Sequence, residues 1–191
     1  MEPNAEKWDE DKIFPIDTLK ELASLGFAGI YVSPSLGGSG LTRLDSTLIF
    51  EALSHGCTST AAFLSIHNMA TWMIDSFGDE ELKERFVPDL CSFNKISSYC
   101  LTEPGAGSDA ASLRTKAVKD GKYYIVNGTK SFISGGGTSD IYVTMVKTDD
   151  NSISTLVIEK YSKGLSYGEP EKKMGWNSQP TSQVFFEDCK V

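Results

Sequence analysis

Apolar residues change their spacing near Asn94. Before it the period is helical. Ile16, Leu19, Leu22, Ala23 and Leu25 make an apolar stripe that stops at Gly26, a natural helix end. Leu48, Ile49, Phe50, Ala52 and Leu53 predict a second helix over residues 44–53. Residues 58–77 are rich in Ala, Met and Leu and are followed by Gly78, which predicts a third. Asp79 is placed to cap a fourth, from Glu80 to about Leu90, whose last turn Pro88 should disturb. Between the first two helices, Ser33-Pro34-Ser35-Leu36-Gly37-Gly38-Ser39-Gly40 reads as a loop. No Lys-Ser/Thr follows its glycines, so it is not a P-loop.

Beyond Asn94 the period is two. Strands are predicted at residues 95–101, 123–126, 130–134, 141–146, 154–158 and 184–186. Asn127-Gly128 lies between two of these runs and signals a tight hairpin. Helices first and strands second give an α+β chain, with a helical domain over residues 1–93 and a β-domain over residues 94–191.

Composition narrows the function classes. The chain has 191 residues, 40% hydrophobic and 23% charged, which suits a soluble globular fold. Its apolar runs are all shorter than the roughly 20 residues that cross a bilayer, so no membrane insertion is expected. The net charge of −8 argues against a nucleic-acid partner. It does not exclude a phosphate-bearing small molecule, which backbone N–H groups can hold locally. Cys57, Cys91, Cys100 and Cys189 fit neither a zinc spacing nor a disulfide framework and read as buried free thiols. The start, Met-Glu-Pro-Asn-Ala-Glu-Lys-Trp-Asp, lacks the features of a signal or transit peptide, so no leader is expected in this sequence. Asn127-Gly128-Thr129 matches a glycosylation pattern, but the hairpin and the free thiols argue against its use.

Two segments carry candidate chemistry. In Tyr99-Cys100-Leu101-Thr102-Glu103-Pro104-Gly105-Ala106-Gly107-Ser108-Asp109 a strand runs into a glycine turn with hydroxyl residues. Without side chains at Gly105 and Gly107, backbone N–H groups can approach a phosphate. A plain Gly-Ser turn is the other reading. A dinucleotide-binding βαβ unit is disfavoured, because Pro104 precedes the turn and a hairpin strand follows it. Glu103 reads as a structural carboxylate that ties the turn by hydrogen bonds. In the second segment, residues 128–137, Phe132 and Ser134 stand two apart in a strand and share a face. They could set a ring and a hydrogen bond against a planar cofactor, or be a core Phe beside a surface Ser. His55 and His67 read as helix-packing residues; neither sits in a metal or triad motif.

Taken together and in order, these segments resemble the acyl-CoA dehydrogenase family. Tyr99 to Asp109 is one match. Asn127-Gly128, Lys130 and Phe132-Ile133-Ser134 are a second. Lys173-Met174-Gly175-Trp176-Asn177-Ser178-Gln179-Pro180-Thr181 with residues 184–191 is a third, and Leu25-Gly26-Phe27 with Gly37-Gly38-Ser39-Gly40 is a fourth. The resemblance covers nearly the whole chain. Ile66-His67-Asn68-Met69 and residues 175–180 are most similar to the branch that oxidises short branched-chain acyl-CoA. Many relatives carry Arg where this chain has Asn177.

The resemblance implies an N-terminal helical domain, an antiparallel β-barrel-like middle domain and a C-terminal four-helix domain. The sequence looks like the first two only, with the family's first helix missing before Met1. It implies α,β-dehydrogenation of an acyl-CoA, here isobutyryl-CoA to methacrylyl-CoA in valine catabolism in the mitochondrial matrix. FAD would take the hydride and electron-transfer flavoprotein would reoxidise it. The full-length protein would be a homotetramer. Tyr99, Cys100, Leu101, Thr102, Glu103, Pro104, Gly105, Ala106, Gly107 and Ser108 would form the first flavin segment, with Thr102 bonding the ring edge. Phe132, Ile133 and Ser134 would form the second, with Phe132 covering the ring and Ser134 near flavin N5. Ser108 would also meet the acyl-CoA. The catalytic glutamate would lie in the missing domain, so no catalytic residue and no metal site is assigned here. The fragment should have little activity alone and should expose apolar surface that favours self-association. An interaction fragment and an acyl-CoA oxidase-like flavoenzyme are the alternatives.

Overall fold

Helix ends in the computed structural model, which describes residues 1–148 and 152–191, are set by local capping chemistry. The helices are α1 (Glu2–Glu10), α2 (Ile16–Ser24), α3 (Arg43–Gly56), α4 (Thr58–Phe77) and α5 (Glu80–Cys91). Thr42 and Asp45 form a reciprocal capping box that starts α3. Asp79 accepts the Leu82 N–H at 2.9 Å and starts α5. Pro88 lies inside α5, yet the helix runs on to Cys91. Pro88 and Glu84 are both exposed, so water can serve the carbonyl that proline leaves without a donor. α1 is an element that the apolar pattern did not predict; it has no buried residue.

The chain forms two compact units. One comprises residues 1–97 and 172–180, the other residues 98–171 and 181–191. In the first, Leu19, Leu22, Phe63, Leu64 and Phe93 fill the core. Each such side chain contributes about 1.5–3 kcal/mol on burial. His67 is fully buried. Its Nε2 donates to the Leu90 carbonyl at 3.0 Å, and its Nδ1 accepts the Ser97 N–H at 3.1 Å, which fixes the tautomer. Residues 172–180 lie among the predicted strands in sequence, but they belong to the helical unit. Asp9 of α1 accepts the Asn177 N–H at 2.6 Å and the Asn177 side-chain amide at 3.0 Å. Asn177's amide and the backbone N–H groups of Asn177 and Ser178 hold the Asp9 carboxyl below its usual range, against a partial desolvation.

The second unit is built on one sheet, with seven strands among the described residues, whose first residue, Ser97, belongs to the helical unit. The strands are β1 (Ser97–Cys100), β2 (Lys116–Asp120), β3 (Tyr123–Ser134), β4 (Ile141–Lys147), β5 (Ile153–Glu159), β6 (Leu165–Tyr167) and β7 (Thr181–Lys190). Their order is β1-β4-β2-β3-β7-β6, with β5 also on β4. β2–β3, β3–β7, β4–β5 and β6–β7 are antiparallel, but β2 meets β4 in parallel at Lys116 and Lys147, so the sheet is mixed. Cys100, Ala117, Val126, Tyr142, Val146 and Val184 stand in its core.

The hairpin expected at Asn127-Gly128 does not exist. β3 runs unbroken through both residues, and the two-residue connection lies earlier, at Gly121-Lys122, between Asp120 and Tyr123. Gly121 has φ 60°, which suits that turn. Gly128 serves a close approach instead: a Cβ there would lie 2.7 Å from Thr115 Cα. The Asn127 side chain faces Asp188 across the pairing with β7.

Candidate functional site

The sheet unit holds every residue singled out for cofactor contact. β3 pairs with β7 through a register shift between Lys130 and Ile133. Such a bulge leaves a residue out of the ladder and turns its groups elsewhere. The Ser131 N–H donates to the Thr102 carbonyl at 2.8 Å. One backbone hydrogen bond therefore joins the two candidate segments. At the same bulge Phe132 takes φ 58°, a conformation uncommon for a bulky residue, and its ring is 67% exposed. Ile133 beside it is buried and Ser134 is half-buried.

The first segment leaves β1 and turns outward. Tyr99 is half-buried on β1, and Cys100 is buried in the core, where burial pushes its thiol up to about 12. Leu101 and Thr102 are half-buried. The Glu103 N–H and the Ala106 carbonyl, and the Ala106 N–H and the Glu103 carbonyl, close the Pro104-Gly105 turn at 3.0 and 3.1 Å. Pro104, Gly105, Gly107 and Ser108 are exposed, while Ala106 is buried. A Cβ added at Gly105 or Gly107 would meet no heavy atom within 4 Å. The backbone there is open to a ligand. The hydroxyls of Thr102 and Ser108 make no hydrogen bond with other described residues. Ser108 lies past the turn, and no hydrogen bond joins it to Phe132 or Ser134.

Glu103 points inward. It accepts the Arg114 N–H at 2.6 Å, the Thr115 N–H at 2.9 Å and the Lys130 ammonium at 2.8 Å. Burial pushes its carboxyl up, but the Lys130 ammonium, Thr115 and the two amide donors outweigh this and hold it below the usual range. Lys130 also donates to the Leu101 carbonyl at 3.1 Å. Burial draws its ammonium below the ordinary value, against the support of Glu103. Glu103 thus ties the turn from behind, and Lys130 is its counter-charge. Sequence reasoning gave Lys130 no role. The signal was there: a charged residue at an inward position of a period-two strand, three residues after the Asn127 that opens the motif.

The two joined segments offer an exposed aromatic residue, an open glycine backbone and the hydroxyls of Thr102 and Ser108. That donor set fits a planar, phosphate-bearing group such as a flavin nucleotide. Among the described residues no group of three or more His, Cys, Asp or Glu could hold a metal ion, and no helix is long and apolar enough to cross a membrane.

Comparison with known proteins decides the family. Residues 1–94 match the acyl-CoA dehydrogenase N-terminal domain, and residues 98–189 match the acyl-CoA dehydrogenase middle domain. The chain belongs to the acyl-CoA dehydrogenase family. It is 57% identical to the mitochondrial isobutyryl-CoA dehydrogenase of Bos taurus, over 100% of this chain and 47% of that protein. Identity to the mitochondrial isobutyryl-CoA dehydrogenase of Dictyostelium discoideum is 56%, with the same coverage. The crystal structure of an acyl-CoA dehydrogenase complexed with FAD from Bacillus anthracis superposes with a TM-score of 0.90 at 33% identity, covering 99% of this chain and 33% of that one. The chain spans about half the length of the curated relatives it matches.

Proposed function

We propose that this chain is the flavin-binding portion of an FAD-dependent acyl-CoA dehydrogenase that acts on a short branched-chain acyl-CoA, with isobutyryl-CoA the substrate and methacrylyl-CoA the product. The observation that supports the reading is the hydrogen bond from Ser131 to Thr102, which joins the strand carrying the exposed Phe132 to the segment that leads into the open glycine turn. FAD supplies a two-electron sink when bound. Thr102 and Ser134 would hold the edge of its ring, Phe132 would cover a face, and Gly105, Gly107 and Ser108 would offer donors to phosphate. Ser108 would also meet the acyl-CoA. Phe132 would offer the ring an apolar face and no N–H donor. High identity to two isobutyryl-CoA dehydrogenases supports the branched-chain substrate, the valine pathway and a mitochondrial matrix location. Electron-transfer flavoprotein would be the electron acceptor and a homotetramer the assembly of the longer protein.

Glu103 is neutralised by Lys130 and turned from the open face, so it is not a base for an α-proton. By itself the chain should therefore show little dehydrogenase activity.

The test is the visible spectrum of the purified chain after incubation with FAD and desalting. A retained flavin band that isobutyryl-CoA does not bleach supports both statements. Loss of the flavin overturns the binding role, and bleaching overturns the inactivity.

A further inference from the structure

Ser98 is buried on β1, directly before the candidate flavin segment, and its side chain faces the end of the other one. Its Oγ lies 2.5 Å from the Ser134 carbonyl oxygen and 2.7 Å from Ser139 Oγ. Ser98 and Ser139 are fully buried. Ser98 is the donor toward both partners, and its one hydroxyl hydrogen lies between the Ser134 carbonyl and the Ser139 hydroxyl, the carbonyl being the nearer acceptor. The Ser139 N–H in turn donates to the Gly135 carbonyl at 2.8 Å, as does the Thr138 N–H at 2.9 Å. The Tyr142 hydroxyl stands 3.1 Å from the Gly137 N–H and 3.4 Å from the Gly135 carbonyl.

Two consecutive carbonyls, those of Ser134 and Gly135, are thus fixed by one pair of serines. The Ile133 carbonyl accepts the Gly136 N–H at 3.0 Å, so the peptide planes on both sides of Ser134 Cα are held, by this bond and by the Ser98 bond, and with them the direction in which Ser134 leaves the backbone. At its other end the same segment is held by the Ser131–Thr102 bond. We propose that Ser98, backed by Ser139, is a positioning residue that sets Ser134 against the flavin edge. This rests on the flavin reading of the preceding subsection. The chemistry is that of a supporting hydrogen bond: it touches no ligand, but a binding group is only as well placed as the backbone that carries it.

The test compares Ser98→Ala and Ser139→Ala with Thr144→Val. Thr144 is an equally buried hydroxyl on β4, bonded to the Tyr142 carbonyl, and is remote in sequence from Ser134. FAD affinity is read by fluorescence quenching, the environment of the bound ring by its visible bands, and fold stability by circular dichroism. Ser98→Ala should weaken FAD binding about tenfold, the value of one well-aligned hydrogen bond, and displace the bands of the bound flavin. Ser139→Ala should do the same to a smaller degree, because the Ser98–Ser134 bond survives. Thr144→Val should lower the melting temperature while leaving FAD affinity within about twofold.

Equal affinity in wild type and Ser98→Ala, or an equal loss in Thr144→Val, overturns the positioning role and leaves the flavin reading intact. A wild-type chain that takes up no FAD overturns the flavin reading and this role with it. If Ser98→Ala does not fold, Ser139→Ala decides: wild-type affinity and bands in that variant overturn the proposal.

Discussion

Lys130 Nζ lies 2.8 Å from Glu103 Oε1, and both side chains are sealed from solvent. The pair links the inward wall of β3 to the underside of the Pro104-Gly105 turn. Removing one partner of a buried pair leaves the other charge uncompensated. Lys130→Met should therefore destabilise the sheet unit by about 3–5 kcal/mol in chemical denaturation. Adding Glu103→Gln to it should recover part of that loss, since the carboxylate charge then disappears as well. Full additivity of the two substitutions would show that the pair is not coupled.

Acid should weaken the helical unit through His67. Burial pulls its pKa from 6.5 to about 4, opposed by the Leu90 carbonyl that accepts from its Nε2. The unfolded chain therefore binds a proton that the folded chain refuses between those values. Stability should fall as pH drops from about 6.5 to about 4, by about 3 kcal/mol in all, and level off below. His67→Gln should flatten this limb of a denaturation series. Glu103 acts in a lower window: its depressed carboxyl contributes above the unfolded value of 4.5 and is lost as pH falls through the folded one.

Gly105→Ala separates binding from folding. A Cβ there meets no heavy atom, so the melting temperature should change by less than that of a typical core substitution, within about 0.5 kcal/mol of stability. The new methyl would stand where the proposed flavin phosphates approach, so FAD affinity should fall. Gly128→Ala should do the reverse. Its Cβ would lie 2.7 Å from Thr115 Cα at φ 152°, and thermal melting should show a loss of about 2–4 kcal/mol.

Asp9→Ala removes two acceptors from Asn177. The helical unit should lose about 1–2 kcal/mol. Limited proteolysis should cut faster within residues 172–180 in the variant than in wild type; an unchanged digest would mean that the Lys173 contacts to the Trp176 and Gln179 carbonyls hold the segment alone.

The sequence made α2 to α5 legible because apolar stripes, Gly26, Gly78 and the Asp79 cap all pointed the same way. α1 escaped because it has no buried face to leave a pattern. The glycine turn and the Phe132 segment were legible as a pair only through the family resemblance, since each alone admits a plain structural reading. Asn127-Gly128 misled because the local turn signal is strong, while the constraint that governs Gly128 comes from Thr115, thirteen residues earlier. Lys130 and Ser98 were hidden for a related reason. Their roles depend on which strand curls back to them, and periodicity reports only that they face inward.

The nine residues 172–180 that complete the helical unit have a consequence for synthesis. They are made after most of the sheet. While the ribosome is still elongating toward residue 171, Asp9 has no Asn177 to accept from. The helices can collapse early around Leu19, Phe63 and Phe93, but the unit closes only after the β-strands that intervene have emerged. The two units are therefore interleaved in time, and the first to begin folding cannot finish before nearly all of the second has left the tunnel.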